Sequence, residues 1–168
     1  MPDTGAPWNI PYVAGTDLVA DWPTDNQTMA EAVADALDDA WKVRQVVTAS
    51  TSTTTSTTST SRQNTSLTAT ITPTSDTSQI LVMVNVETLT CNNSTSGADL
   101  DVYNGTSNST VDAAVDGTLN ETGHNITYLD SPASSSAVTY TARLRRTGDP
   151  ATVTVAGWQT IVLMEVAA

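Results

Sequence analysis

Residues 125–168, NITYLDSPASSSAVTYTARLRRTGDPATVTVAGWQTIVLMEVAA, hold the pattern from which the fold follows. Val138, Tyr140, Ala142 and Leu144 alternate with Thr139, Thr141, Arg143 and Arg145, the two-residue period of a strand with one buried face. Thr147-Gly148-Asp149-Pro150 interrupts that period with turn-forming residues, and Val153 and Val155 resume it. The closing TIVLMEV is an apolar run suited to a strand packed on both faces. Val162, Met164 and Val166 share one phase of this run, the expected core face, with Glu165 on the other. Glu165 is the one carboxylate there, and Arg143, Arg145 or Arg146 is its expected partner, within the sheet or across a subunit interface.

The same reading extends upstream. SLTATITPTSDTSQILVMVNVE at 66–87 gives two strands around a turn-rich break. The Thr/Ser tract at 48–61 contains no Gly, and threonine is a strong strand former, so the tract reads as two strands joined near 56–59. Residues 92–127 are turn-rich, with short strands at 100–103 and 110–115 and turn cues at Asn92-Asn93, Asn104-Gly105, Asp116-Gly117 and Thr122-Gly123. About eight strands between residues 42 and 168 predict a mainly β fold, an antiparallel β-sandwich of jelly-roll type.

Two different segments precede it. Over 26–41 the sequence predicts a short helix: Thr28 with Glu31 makes a capping box, and Met29, Ala32, Val33, Ala36, Leu37 and Ala40 form one apolar stripe. A helix of about 13 residues is marginal in water and needs a neighbour, either its own β-domain or copies of itself around an axis. Residues 1–25 show no period, yet Trp8, Ile10, Tyr12, Val13, Leu18 and Trp22 are too apolar for a free tail. Such residues on an extended arm suit docking onto a partner's surface, the alternative being that they pack back on this chain's own domain.

Composition narrows the function classes. A net charge of −12 opposes nucleic-acid binding, which demands a basic stripe. Asp outnumbers Glu 14 to 4, Lys42 is the single lysine, and Phe is absent. An Asp-rich, Lys-poor surface suits a high-salt host, and a GC-rich genome would leave the same bias. No apolar run is long enough to cross a membrane as a helix, and the N-terminal residues lack the pattern of a signal peptide. Cys91 alone cannot form an internal disulfide and reads as a small buried residue.

The sequence offers no catalytic constellation. His124 is the one histidine, and no HExxH, GxSxG or P-loop pattern occurs, so neither enzyme activity nor a cofactor or metal is expected. Asp99 and Asp101 alternate onto one face beside Asn104. Ca²⁺ ligation is conceivable there, but a solvated strand face is the simpler account. Asp130 reads as a turn former before Pro132. Of ten asparagines, eight begin N-x-S/T sequons: Asn26, Asn64, Asn92, Asn93, Asn104, Asn108, Asn120 and Asn125. The six from Asn92 onward are candidates for glycosylation, against the alternative that exposed turns are simply rich in Asn, Ser and Thr.

Three strings, TITP…ILVMV, YLDSP…AVTY and I-x-LMEV, resemble the C-terminal β-domain of tailed-virus fibre and virion-surface proteins. WNIPY…GTD…VAD followed by a short Ala-rich helix resembles the attachment region of tail-fibre and minor tail proteins. Gly157-Trp158 departs from the pattern, where a more polar loop is expected. The resemblance implies three parts: a virion-attachment arm at 1–25, a trimerising helix at 26–41 and a β-sandwich at 42–168. It implies a homotrimeric short fibre or spike at the virion surface, bound to other tail, baseplate or capsid proteins and meeting a host receptor or glycan. Asp99, Asp101, Tyr103, Asn104, Asn108 and Asn120 are then the candidates for host contact. The alternatives are a capsid decoration or turret without a receptor role, and a soluble carbohydrate-binding module.

Overall fold

A computed structural model describes residues 22–40, 43–105, 109–116 and 121–167. The arm residues Trp8, Ile10, Tyr12, Val13 and Leu18 lie outside them, as do Asn108 and Asn120. The chain divides into two compact units, residues 1–42 and 43–168.

In the first unit, helix α1 spans Trp22–Ala40. It begins a turn and a half before the Thr28/Glu31 motif, so the expected capping box does not form. Thr28 instead donates its hydroxyl to the Thr24 carbonyl one turn back (2.9 Å), and Glu31 accepts from Gln27 Nε2 (2.8 Å). The start signal is Pro23, whose missing N–H costs nothing in a first turn. Met29 and Val33, on the predicted stripe, are exposed on this unit.

The second unit is two antiparallel sheets. Its strands are β1 (Val43–Thr51), β2 (Thr55–Thr57), β3 (Gln63–Ile71), β4 (Gln79–Cys91), β5 (Ser96–Asn104), β6 (Ser109–Asp116), β7 (Glu121–Asp130), β8 (Val138–Gly148) and β9 (Val153–Val166). One sheet has the order β1-β9-β4-β7, with β2 also beside β9, and the other has β3-β8-β5-β6. The pairings nest: β5 with β6, β4 with β7, β3 with β8, and β1 and β2 with β9. This is a long antiparallel ribbon, folded at β5–β6 and rolled so that its two halves face each other.

The Thr/Ser tract is strand, as its β propensity predicts, but it forms no hairpin at 56–59. β1 and β2 pair with successive stretches of β9, Gln159–Val166 and Val153–Val155, making one interrupted edge. The break at 52–54 faces a bulge at Gly157-Trp158, and buried Gln159 bridges it by donating Nε2 to the Thr53 carbonyl (2.9 Å). Threonine's abundance has a structural use here. Thr68–Thr141, Thr70–Thr139 and Ser56–Thr154 are directly opposed hydroxyl pairs at 3.2, 2.8 and 2.8 Å.

The core lies between the sheets: Leu67, Ile71, Ile80, Val82, Leu100, Tyr140, Leu144, Ile161 and Leu163 are all buried, as is Cys91. Over the closing TIVLMEV the phase of β9 is the reverse of the one expected, while Val153 and Val155 are buried as their alternation predicts. Val153, Val155, Ile161, Leu163 and Glu165 face inward, whereas Val162, Met164 and Val166 are half-buried on the outer face. Both phases of TIVLMEV are apolar, so alternation carries no information about which side is inside. The carboxylate is admitted to the interior because hydrogen-bond donors surround it there.

Candidate contact surface

The two outer faces of the sandwich differ in chemistry. On the β3-β8-β5-β6 sheet, Asp99 stands directly opposite Arg145, and Asp101 opposite Arg143. Arg143 grips Asp101 bidentately, Nε to Oδ1 at 3.0 Å and Nη2 to Oδ2 at 2.9 Å. Arg145 Nε donates to Asp99 Oδ2 at 2.5 Å. Arg62, from the crossing between sheets, reaches over to both carboxylates, with Nη2 3.3 Å from Asp99 and Nε on Asp101. Both aspartates are buried, so the expected solvated face, and with it the Ca²⁺ alternative, is corrected. Three arginines cover the carboxylates, which neither face solvent nor stand open to a cation. Nor does any arginine among these reach Glu165; their partners are Asp99 and Asp101.

Asn104 and Asp130 are also interior. Asp130 Oδ2 accepts from Asn104 Nδ2 (2.6 Å) and from the Tyr140 hydroxyl (2.7 Å). This ties β7 of one sheet to β5 and β8 of the other. Burial, and then the adjacent Asp130 carboxylate, push the Tyr140 hydroxyl far above its ordinary pKa, so it remains a donor. Asp130 is therefore a cross-sheet acceptor rather than a turn former. Asn104, as a buried donor, is removed from both the host-contact and the glycosylation candidates. Tyr103 is half-buried, its ring 4.2 Å beneath the Arg143 guanidinium.

The turn-rich middle does not gather into one surface. The Asn104–Ser109 pair lies at the end where Val43 pairs with Val166, and Asn108 is outside the described residues. Residues 92–95 lie at the opposite end, with 58–62 and 149–152. There the turns are clasped together. Arg146 N–H donates to the Ser59 carbonyl (2.8 Å) and Asn92 N–H to the Thr152 carbonyl (3.1 Å). Asn92 Oδ1 accepts from Thr152 N–H (2.8 Å), and Asn93 Nδ2 donates to the Pro150 carbonyl (3.1 Å). Two of the sequon asparagines are thus turn braces, while Asn125 is exposed on β7 beside Asn85. A shallow cleft of about 300 Å³ opens among these turns, lined by Thr58, Asn92, Arg146, Pro150, Ala151 and Thr152.

Gly148 makes the clasp possible. Its φ is +75°, and a Cβ there would sit 2.7 Å from the Thr95 carbonyl oxygen. Gly148→Ala is expected to cost roughly 2 kcal/mol, from the left-handed backbone plus that clash. Gly123→Ala shares the positive φ but meets nothing nearby, so it should cost about half as much. Urea unfolding midpoints of the two variants would measure the difference. Trp158, the departure noted in the sequence, is 60% exposed. The bulge turns it outward, with Gly157 at φ +73° and Glu87 Oε2 accepting the Trp158 N–H (2.7 Å).

No protein-family model matches this chain, and no curated protein matches it in sequence. Among solved structures, a similar one is that of the infectious bursal disease virus Gx strain, at 12% identity and a TM-score of 0.41. The likeness covers 76% of this chain and 37% of the other. At that distance it carries no argument about function.

Proposed function

We propose that this chain is a structural protein of a virion surface, a homotrimeric short fibre or spike in which a jelly-roll sandwich follows an N-terminal attachment arm. The nested pairing of the ribbon is what supports the jelly-roll reading. One observation carries the choice of contact end: the chain enters the sandwich at Val43, and the clasped turns 58–62, 92–95 and 149–152 lie at the other end. β4 and β9, paired along their whole length, run between the two ends, and β9 makes about 45 Å of extended chain. That loop end is the one we assign to contact with whatever the particle meets, because loops on a rigid sandwich vary without disturbing the core.

Host contact is accordingly assigned to that end, around the cleft and Arg146, in place of Asp99, Asp101 and Asn104. Since Arg62, Arg143 and Arg145 are engaged by Asp99 and Asp101, the chain's excess negative charge falls on the rest of its surface. Such a surface suits a saline host, where charge steering is screened within about 3 Å at 1 M salt. Recognition would then rest on shape and hydrogen bonds. Replacing residues 92–95 and 149–152 together in the virion should lower host adsorption at least tenfold while the particles keep their full complement of the protein. Adsorption unchanged at normal incorporation would leave a decoration protein without a receptor role.

A further inference from the structure

The outer face of the β1-β9-β4-β7 sheet is the opposite of its counterpart. Val46, Met164, Leu81 and Leu129 stand in register as one row across all four strands. Val46 and Leu129 are 51% and 46% exposed, and Met164 and Leu81 are half-buried. Val162 and Met83 continue the apolar surface in the next row, and the row after that is uncharged Ser, Thr and Asn. An antiparallel sheet with one solvated face ordinarily alternates apolar inward with polar outward. A contiguous apolar face of this kind marks an interaction site.

We propose that this face is where copies of the chain join, three around an axis. The inference deepens the homotrimer reading and rests on it. Charge favours a second copy as the occupant. Two chains of net charge −12 repel one another, so a face without charge is where they meet at the least electrostatic cost, and these rows have none. A different protein would be free to use the acidic surface.

Geometry fits as well. Four strands spaced by about 4.8 Å make a face about 19 Å wide, so three faces closed into a triangular prism stand about 5.5 Å from the axis, near half the roughly 10 Å of packed sheets. Three residue rows, about 20 Å long, give roughly 400 Å² in plan, and side-chain relief raises that toward the roughly 800 Å² per partner of a stable interface.

Met83 and Met164 are natural reporters. In the full chain, light scattering should give a trimer for the wild type and a folded monomer for Met164→Asp. Thr141→Asp, on the other outer face, should stay trimeric. Peroxide should oxidise Met83 at least tenfold more slowly in the wild-type trimer than in the Met164→Asp monomer, read by peptide mass spectrometry. Should Met164→Asp fail to fold, Leu81→Thr and the wild-type Met83 and Met164 oxidation rates, set against a free methionyl peptide, decide the matter. A trimer that survives the substitutions with freely oxidised Met83 overturns this face as the interface but leaves the homotrimer reading standing. A wild-type monomer overturns both. Met83 protected even in the monomer would mean that the same chain covers the face, which also overturns the proposal.

Discussion

Replacing Arg143 with Met should destabilise the sandwich by about 3–5 kcal/mol, the usual consequence of leaving a buried carboxylate without its partner. Asp101 is fully buried, and Arg143 supplies two of its hydrogen bonds. Methionine keeps much of the side chain's packing over Tyr103, so the loss isolates the charge. Arg62, which also reaches Asp101, would reduce the effect and places it toward the lower figure. The double variant Arg143→Met with Asp101→Asn should recover part of the loss, because the unpaired charge is then gone. Urea denaturation of the wild type, both single variants and the double variant gives the coupling directly. Additive losses would mean that Asp101 does not depend on Arg143.

This network shows how far the sequence could be read. Its phase was legible: Asp99 and Asp101 do alternate with Leu100 and Val102, and they do lie on the outer face of their sheet. Their burial was not, because it needs Arg62, 37 and 39 residues upstream, whose reach across two strands has no local signature. A partial signal existed. Two acids at i and i+2 in one strand and two arginines at i and i+2 in another form a matched pair of rungs, as cross-strand pairing would use them. The strands themselves were legible where only one phase is apolar, as in Val138–Leu144. Where both phases are apolar, as in TIVLMEV, the strand was legible and its inner side was not. That second ambiguity is itself informative, since a strand apolar on both faces of an outer sheet needs something to cover it.

Glu165 gives the sharpest pH-dependent prediction. It is fully buried, and four hydrogen-bond donors of the described residues converge on it. The Thr74 N–H (2.7 Å), the Thr74 hydroxyl (2.6 Å) and the Ser78 hydroxyl (2.7 Å) meet Oε1, and Gln45 Nε2 (2.7 Å) meets Oε2. Burial pushes the carboxyl's pKa up, but these hydrogen bonds outweigh it and hold the group at about 2, below its ordinary 4.5. The charged form is therefore favoured by folding. Its contribution, roughly 3 kcal/mol, is fully present above pH 4.5 and is lost as pH falls toward 2. Glu165→Gln should cost a similar amount at pH 7. Its amide NH₂ would face the Gln45 amide, which is already committed to the Thr72 carbonyl at 2.6 Å, so donor meets donor. The two proteins should then converge in stability as pH drops from 4.5 to 2, since protonated Glu165 loses the same advantage. Thermal unfolding of both across that range tests the point, and a gap that stays constant with pH would show that the carboxylate's charge is not what the cage stabilises. The cage links the 72–78 turn and β1 to β9, so its loss should loosen first the end of the sandwich where the chain enters.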